Sequence, residues 1–305
     1  MNSPVDHVIL TRFNLPSIGS ESLIRAKEGW LRDRIQLFER YCLPSVLAQT
    51  NSDFFWIIYL DPESPTWLKR RMEELSTGNA FKAIYRAEVS NEDLVADIRN
   101  LVGSQKDHLM TTNLDNDDGL ASTFVEQLHT VPMDGSRTAI YLTRGLILSG
   151  NKLFLRTDRA NAFCSVRETW DGPETCWADW HNQLGKSMPA REISGTPAWL
   201  QVVHDLNVSN RVRGTRVDPK AFVSSFGELL DDARRPSRAE ILIERLALRP
   251  FRSIRESGRA VTKATILVVF GRGGLDRIKS TMNRKINFKY FSKSNAQSNA
   301  NPTSR

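Results

Sequence analysis

A chain of 305 residues, 40% apolar and 25% charged, has the profile of a globular protein with room for one large domain or two modest ones. The Ala264–Phe270 stretch is about a third of the roughly 20 residues that cross a bilayer, and no basic patch leads into an apolar run at the N-terminus; neither a transmembrane helix nor a signal peptide is expected. The net charge of +7 is uneven, with 17 Lys and Arg against 6 Asp and Glu from Asp231 onward, so the basic region is an appendage on a nearly neutral body and no nucleic-acid partner is implied.

In chain order, Val5–Phe13 reads as a first strand. Trp30–Tyr41 sets Trp30, Arg34, Leu37 and Tyr41 at helical spacings of three and four, and Pro44 suits the first turn of a continuing helix, Pro44–Gln49. Phe54–Leu60 is apolar throughout, as a strand covered on both faces is, and Asp61-Pro62 stops it. Pro65–Leu75 is a surface helix, Phe81–Arg86 a strand, Glu92–Val102 a helix, and His108–Leu114 a strand running into an acidic cluster. Phe124–His129 begins another helix, and Thr138–Leu148 looks like a hairpin or paired strands. From Lys152 the regularity weakens. Arg238–Leu248 is amphipathic, Arg252–Lys263 continues a basic face, and the polar residues from Ser294 are expected to be disordered. Alternating strands and helices argue for a mostly parallel α/β sheet, with ligands gathered beyond the carboxyl ends of its strands. Asp61 and Asp115 each fall just past such an end.

Asp115, Asp117 and Asp118 repel one another unless compensated. A divalent cation removes that cost: hard oxygen ligands at this spacing suit Mg²⁺ or Mn²⁺ shared with a diphosphate, whose departure the metal assists. A solvated Asn-Asp-Asp-Gly turn is the plain alternative. A calcium loop, with Asp115, Asp117 and Glu126 at positions one, three and twelve, fails because Leu120 stands where glycine is needed and a strand precedes it.

The stretch Thr111-Thr112-Asn113-Leu114-Asp115-Asn116-Asp117-Asp118-Gly119 resembles the metal-binding Asp-x-Asp motif of GT-A glycosyltransferases. More narrowly, with Leu10–Asn14, Leu37–Val46, Phe54–Asp61, Trp199–His204 and Asn210–Gly214 in the same order, residues 8–215 are similar to the bacterial family called putative rhamnosyltransferases. The resemblance implies a GT-A fold (Rossmann-like, a mixed, mostly parallel sheet flanked by helices) over residues 1–215, followed by a helical basic region over 216–293 and a tail over 294–305. It implies sugar transfer, with rhamnose the sugar its name suggests, from a nucleotide-sugar donor to a hydroxyl of a saccharide or lipid-linked acceptor.

Carried over residue by residue, it puts Thr11 and Arg12 beside the base or ribose and Asp61 on their hydroxyls, where an ordinary Asp-Pro turn is the alternative. Arg99 would pair with a phosphate or a metal carboxylate, or face solvent on its helix. Asp115, Asp117 and Asp118 would hold the metal, Asp115 also facing the donor, and His204 would complete the site unless it is a core or turn histidine. Asn210, Arg211 and Arg213 would order a loop over the diphosphate. Asp179, with His181, is the expected acceptor-side base, Glu168 and Glu174 being competitors. The adjacent Trp177 and Trp180 would stack on a sugar ring or fill the core.

Two other functions remain open. A nucleotidyltransferase normally has a Gly-rich, basic loop after its first strand, whereas Thr11–Gly19 holds one Arg and one Gly. A binding protein that has lost chemistry would not need the whole acidic cluster. Gly271-Arg272-Gly273-Gly274 fails as a dinucleotide loop because Asp276 stands where the third glycine belongs. The basic helices are either a solvated face or a peripheral contact with anionic headgroups. Cys42, Cys164 and Cys176 form no CxxC pair and suit a reducing cytoplasm, so the expected location is cytoplasmic, with peripheral contact at the inner face of the cell membrane open to the basic region.

Overall fold

Apolar and β-branched residues carry Val5–Arg12 as strand β1, buried along all but its last residue. In the computed structural model, which describes residues 4–16, 29–132, 135–204 and 212–243, the next element is the helix α1 (Trp30–Leu37), continued by a π-helical turn (Phe38–Cys42) and α2 (Leu43–Leu47). The wide turn has a local cause. Pro44 has no N–H to give the Arg40 carbonyl and would crowd it in an α-helix, and the i→i−5 bond from Leu43 to Phe38 opens the helix just before it.

Strand β2 (Phe55–Leu60), α3 (Thr66–Leu75), β3 (Lys82–Tyr85), α4 (Asn91–Val102) and β4 (His108–Asn113) follow, as the alternating pattern predicts. Ser90 caps α4 by accepting the Asp93 N–H. Then come β5 (Gly119–Leu120), α5 (Phe124–His129), β6 (Thr138–Leu142), β7 (Arg144–Ser149), β8 (Lys152–Thr157), β9 (Ser165–Thr169), α6 (Leu184–Ser187), β10 (Ala190–Ile193), β11 (Trp199–Val203) and β12 (Thr215–Arg216).

The strands form a seven-stranded sheet in the order β10-β6-β9-β4-β1-β2-β3 and a five-stranded sheet in the order β12-β8-β7-β11-β5. In the large sheet only β9 runs antiparallel. It is a mixed, mostly parallel sheet flanked by helices, the arrangement expected of GT-A. From Trp56 to Leu60, β2 is at most 2% exposed, and each such side chain contributes about 1.5–3 kcal/mol by leaving water.

Two expectations are corrected here. Thr138–Leu148 is not a hairpin: β6 pairs with β9 and β10, while β7 pairs with β8 and β11. Only Thr143 separates them, too little for even a two-residue hairpin loop, and the chain passes from one sheet to the other. Regularity also does not weaken after Lys152. Ser149 pairs with Lys152 around Gly150-Asn151, with Gly150 at φ 53°, a two-residue turn of the kind that glycine permits.

The chain divides into two units at Leu242–Ile243, of which the first, Met1–Leu242, is compact. The first extends past the boundary expected at residue 215, because Phe226, Leu229 and Leu230 pack with Tyr41, Leu146 and Leu200 in one core. A helix begins at Arg238 and is described to Ile243. The rest of the expected Arg238–Leu248 helix, the Arg252–Lys263 face, the Gly271–Gly274 loop and the tail from Ser294 lie outside the described residues. No helix among the described residues is long and apolar enough to cross a membrane. Cys42, Cys164 and Cys176 are buried free thiols.

Beneath the large sheet a chain of hydrogen bonds runs inward. Asn51 Nδ2 donates to His129 Nδ1 (3.2 Å), His129 Nε2 to His7 Nδ1 (3.1 Å), and His7 Nε2 to Thr112 Oγ1 (2.8 Å), which meets Ser165 Oγ at 2.7 Å. This direction requires both imidazoles neutral. Burial lowers the pKa of both, and His129 lowers that of His7 further. The unfolded chain therefore binds protons here that the folded chain refuses. The associated stability is present above the ordinary histidine pKa of about 6.5 and is lost as pH falls below it. Denaturant melts at pH 7.5 and 5.5 should show a smaller pH-dependent loss in His7→Gln than in the natural chain; equal losses would discount the pair.

Candidate active site

Strands β1, β2 and β4 point the same way, with Leu10 beside Asn113 and Arg12 beside Tyr59. Their carboxyl ends therefore bring Arg12, Asp61 and Asp115 to one edge. Past β4 the chain turns through Asp115–Asp118, Asp118 N–H reaching back to the Asp115 carbonyl, and enters β5. That strand pairs antiparallel with β11, Gly119 opposite Leu200. Asp118 Oδ1 extends the pairing by accepting the Val202 N–H at 2.8 Å. The same register carries His204 back to the acidic turn, where its Nε2 stands 2.9 Å from Asp117 Oδ2. Residues 87 positions apart thus meet through one short antiparallel pairing.

A third group shares that oxygen. Arg34 Nη1 lies 2.5 Å from Asp117 Oδ2 and 3.1 Å from Asn116 Oδ1. Its side chain is 12% exposed and that of Asp117 8%. Asn116 is itself fixed, donating to the carbonyls of Arg12 and Phe13. Nothing in the family resemblance points to Arg34 as a site residue. Its signal was an arginine on the same helical face as Trp30, Leu37 and Tyr41, where a fully hydrated charge would not be placed. Arg34 Nε is buried and has no hydrogen-bond partner among the described residues, an arrangement that costs about 1–3 kcal/mol.

The carboxyls differ sharply. Burial tends to raise the pKa of Asp117, but the His204 hydrogen bond and the pull of Arg34 outweigh it and hold the pKa below the ordinary value. Burial, then Asp117, push Asp115 up to about 6, against the Asn113 hydrogen bond and the charges of Arg12 and Arg34. Asp115 nevertheless has open surface: it faces solvent from a crowded recess, and water on the open side screens part of the repulsion. Asp118 is 1% exposed, its pKa raised well above the ordinary value by burial and then by the two neighbouring aspartates.

Arg12 stands 4.1 Å over the Trp177 ring, whose Nε1 donates to Asn113 Oδ1 at 2.8 Å. Trp177 is thus part of the wall beside Asp115. Asp179 is exposed and accepts the Trp180 N–H. Tyr141 Oη donates to the His181 carbonyl at 2.5 Å, which puts His181 on the same edge but over β6, two strands or about 10 Å from β4. Burial lowers the His181 pKa while Asp158 opposes it. Asp61 forms a tight turn, its Oδ1 accepting the Glu63 N–H at 2.8 Å. Arg213 is half-buried just before β12; Asn210 and Arg211 lie outside the described residues.

Four expected assignments do not survive the geometry. Thr11 is fully buried and accepts the Trp56 Nε1–H at 3.0 Å, so it cannot reach a base or ribose. Arg99 Nη2 donates to the Trp170 carbonyl. Trp170 follows Thr169, which pairs with His108 at the start of β4, so Arg99 is at the opposite end of the strand from Asp115. Glu168 is buried and occupied by Arg137 and the Glu174 and Thr175 N–H groups, while Glu174 pairs with Arg137. Neither is available as a base beside Asp115.

Whether these residues suit a metal follows from their own chemistry. Among the described residues no three His, Cys, Asp or Glu side chains form a ready-made cage. Mg²⁺ is commonly held by only one or two carboxylates together with substrate phosphates. Asp117 with His204, and Asp115 raised by burial and then by the charge of Asp117, fit an ion shared in that way.

Among solved structures, the chain is similar to TarS from S. aureus at 10% identity, covering 65% of this chain and 37% of that one, with a TM-score of 0.39. A shorter TarS structure in complex with UDP matches at 10% identity over 65% and 60% of the two chains, TM-score 0.38. The inositol-1-phosphate CTP transferase of T. maritima matches at 8% identity over 76% and 99%, TM-score 0.38. No curated protein sequence matches. Residues 6–216, more than two thirds of the chain, match the family described as "Putative rhamnosyl transferase", and the protein belongs to that family.

Proposed function

We propose that the protein transfers a sugar, rhamnose by its family's description, from a nucleotide-diphosphate donor to a hydroxyl of a saccharide or lipid-linked acceptor, with Mn²⁺ or Mg²⁺ held by Asp115, Asp117 and His204. The observation that carries this reading is the meeting of Asp117 and His204 at 2.9 Å, beside Asp115 and at the carboxyl edge of a mostly parallel sheet. When bound, the ion neutralises charge on the departing nucleoside diphosphate. Asp118, expected among the metal ligands, is assigned a positioning role instead, because its buried carboxylate is taken by the Val202 N–H and sets the distance between the acidic turn and β11. Arg12, braced by Trp177, and Asp61 at the end of β2 face the nucleotide. Arg213 stands toward the diphosphate. Asp179 takes the proton of the acceptor hydroxyl, with His181 as its neighbour on that side. The basic C-terminal residues would be drawn to an anionic membrane surface by their charge.

Thermal stabilisation by a panel of nucleotide sugars, each with Mn²⁺, with Mg²⁺ and with EDTA, tests this directly. A donor that stabilises only with metal, and then releases sugar slowly to water, is the expected result. A panel in which no compound shows metal-dependent binding would remove the reading.

A further inference from the structure

We propose that Arg34 is a diphosphate-binding residue held in reserve: without metal its guanidinium occupies Asp117, and when metal and donor bind it exchanges that carboxylate for the diphosphate. The inference rests on the metal reading of Asp117 above and adds a residue to it.

Arg34 and His204 both bond Asp117 Oδ2. A divalent cation on that carboxylate would face a guanidinium a few ångströms away, and arginine cannot relieve the repulsion by losing a proton. It must move to another anion. A diphosphate brought in with the metal is such an anion, and its paired oxygens match the forked donors of arginine. Two features make the exchange a short one. Asn116 Oδ1 accepts from the same Nη1, and Asn116 is anchored on the carbonyls of Arg12 and Phe13, so the guanidinium stays tethered beside the turn. Arg34 Nε is buried without a partner among the described residues, a donor the carboxylate leaves unused and a second phosphate oxygen can take. The Trp30 ring, 5.1 Å from the guanidinium carbon, supports the head group from behind.

Mn²⁺ binding followed by electron paramagnetic resonance, and calorimetry with UDP, GDP and dTDP at saturating Mn²⁺, test the exchange in Arg34→Met. Removing the competing cation should tighten Mn²⁺ in the absence of nucleotide by about tenfold or more, while nucleoside diphosphate binding weakens by about tenfold or more. These opposite shifts do not arise from a merely structural arginine. Should the variant fail to fold, Arg34→Gln keeps two N–H donors without the charge and should move both affinities in the same directions. Weaker Mn²⁺ binding in the variant would overturn the proposal, making Arg34 a brace for Asp117; so would unchanged diphosphate affinity. If natural protein and Asp117→Asn bind Mn²⁺ alike, the metal reading itself fails and the exchange falls with it.

Discussion

Asp117→Asn should reduce metal-dependent donor turnover by about a thousandfold, the equivalent of roughly 4 kcal/mol of transition-state stabilisation, and lower the Tm as well. Repulsion among three adjacent aspartates, taken from the sequence, implies a Tm unchanged or raised. Arg34 reverses the sign. Asparagine leaves a guanidinium only 12% exposed without its counter-charge. Breaking a buried pair costs about 3–5 kcal/mol; the remaining exposure and one retained hydrogen bond reduce this to about 2–3 kcal/mol, or a Tm loss of roughly 5–10 °C.

Asp115→Asn should do the opposite to stability. Its folded pKa of about 6 exceeds the unfolded value near 3.9, so the folded state disfavours the ionised form. That cost grows as pH rises from about 4 and is complete above about 6. Asparagine removes it, and the Tm in EDTA should rise at pH 7 and show no gain at pH 4. Melting curves of the two variants in EDTA decide the matter: a higher Tm for Asp117→Asn would mean that Arg34 does not hold the cluster together.

Gly145→Ala should be severely destabilising. A Cβ there would lie 2.0 Å from Trp199 Cδ2. The indole has no room to retreat, because its Nε1 donates to the Leu142 carbonyl at 2.8 Å and its ring stacks on Phe163 at 5.1 Å. Overpacking at so rigid a contact should cost about 3 kcal/mol or more. Trp199 begins β11, the strand that ends beside His204, so the displacement should also pull His204 from Asp117 and weaken Mn²⁺ binding. Gly145→Ala/Trp199→Leu should recover part of the stability, since the two residues act on one contact. A fully stable single variant with natural Mn²⁺ affinity would show that β11 does not position the site through this packing.

Much of the large sheet was legible because its signals are local. Phe54–Leu60 reads as a buried strand from its own composition, and Glu92–Val102 reads as a helix one residue short of the start of α4. The acidic turn was legible too, since three carboxylates in four residues require compensation wherever they lie. Just before Lys152 a local signal is present in Gly150-Asn151, which joins β7 to β8, but strands beyond β8 such as β9 draw their pairing from distant partners. Arg99 lies at the other end of β4 for a related reason: proximity in sequence to a strand does not say which end of it a helix residue reaches.

By itself, the order of residues determined an α/β body with carboxylates at a strand end, because hydrophobic periodicity and charge density are properties of neighbouring positions. What compensates those carboxylates was decided only in three dimensions. Arg34 comes from a helix before β2 and His204 from the residue just past a strand of the second sheet, and both reach one oxygen of Asp117 because parallel crossovers and the β5–β11 pairing fold distant segments onto the same edge. Side-chain charge can be read along a chain, but the field a carboxylate feels depends on distances through space.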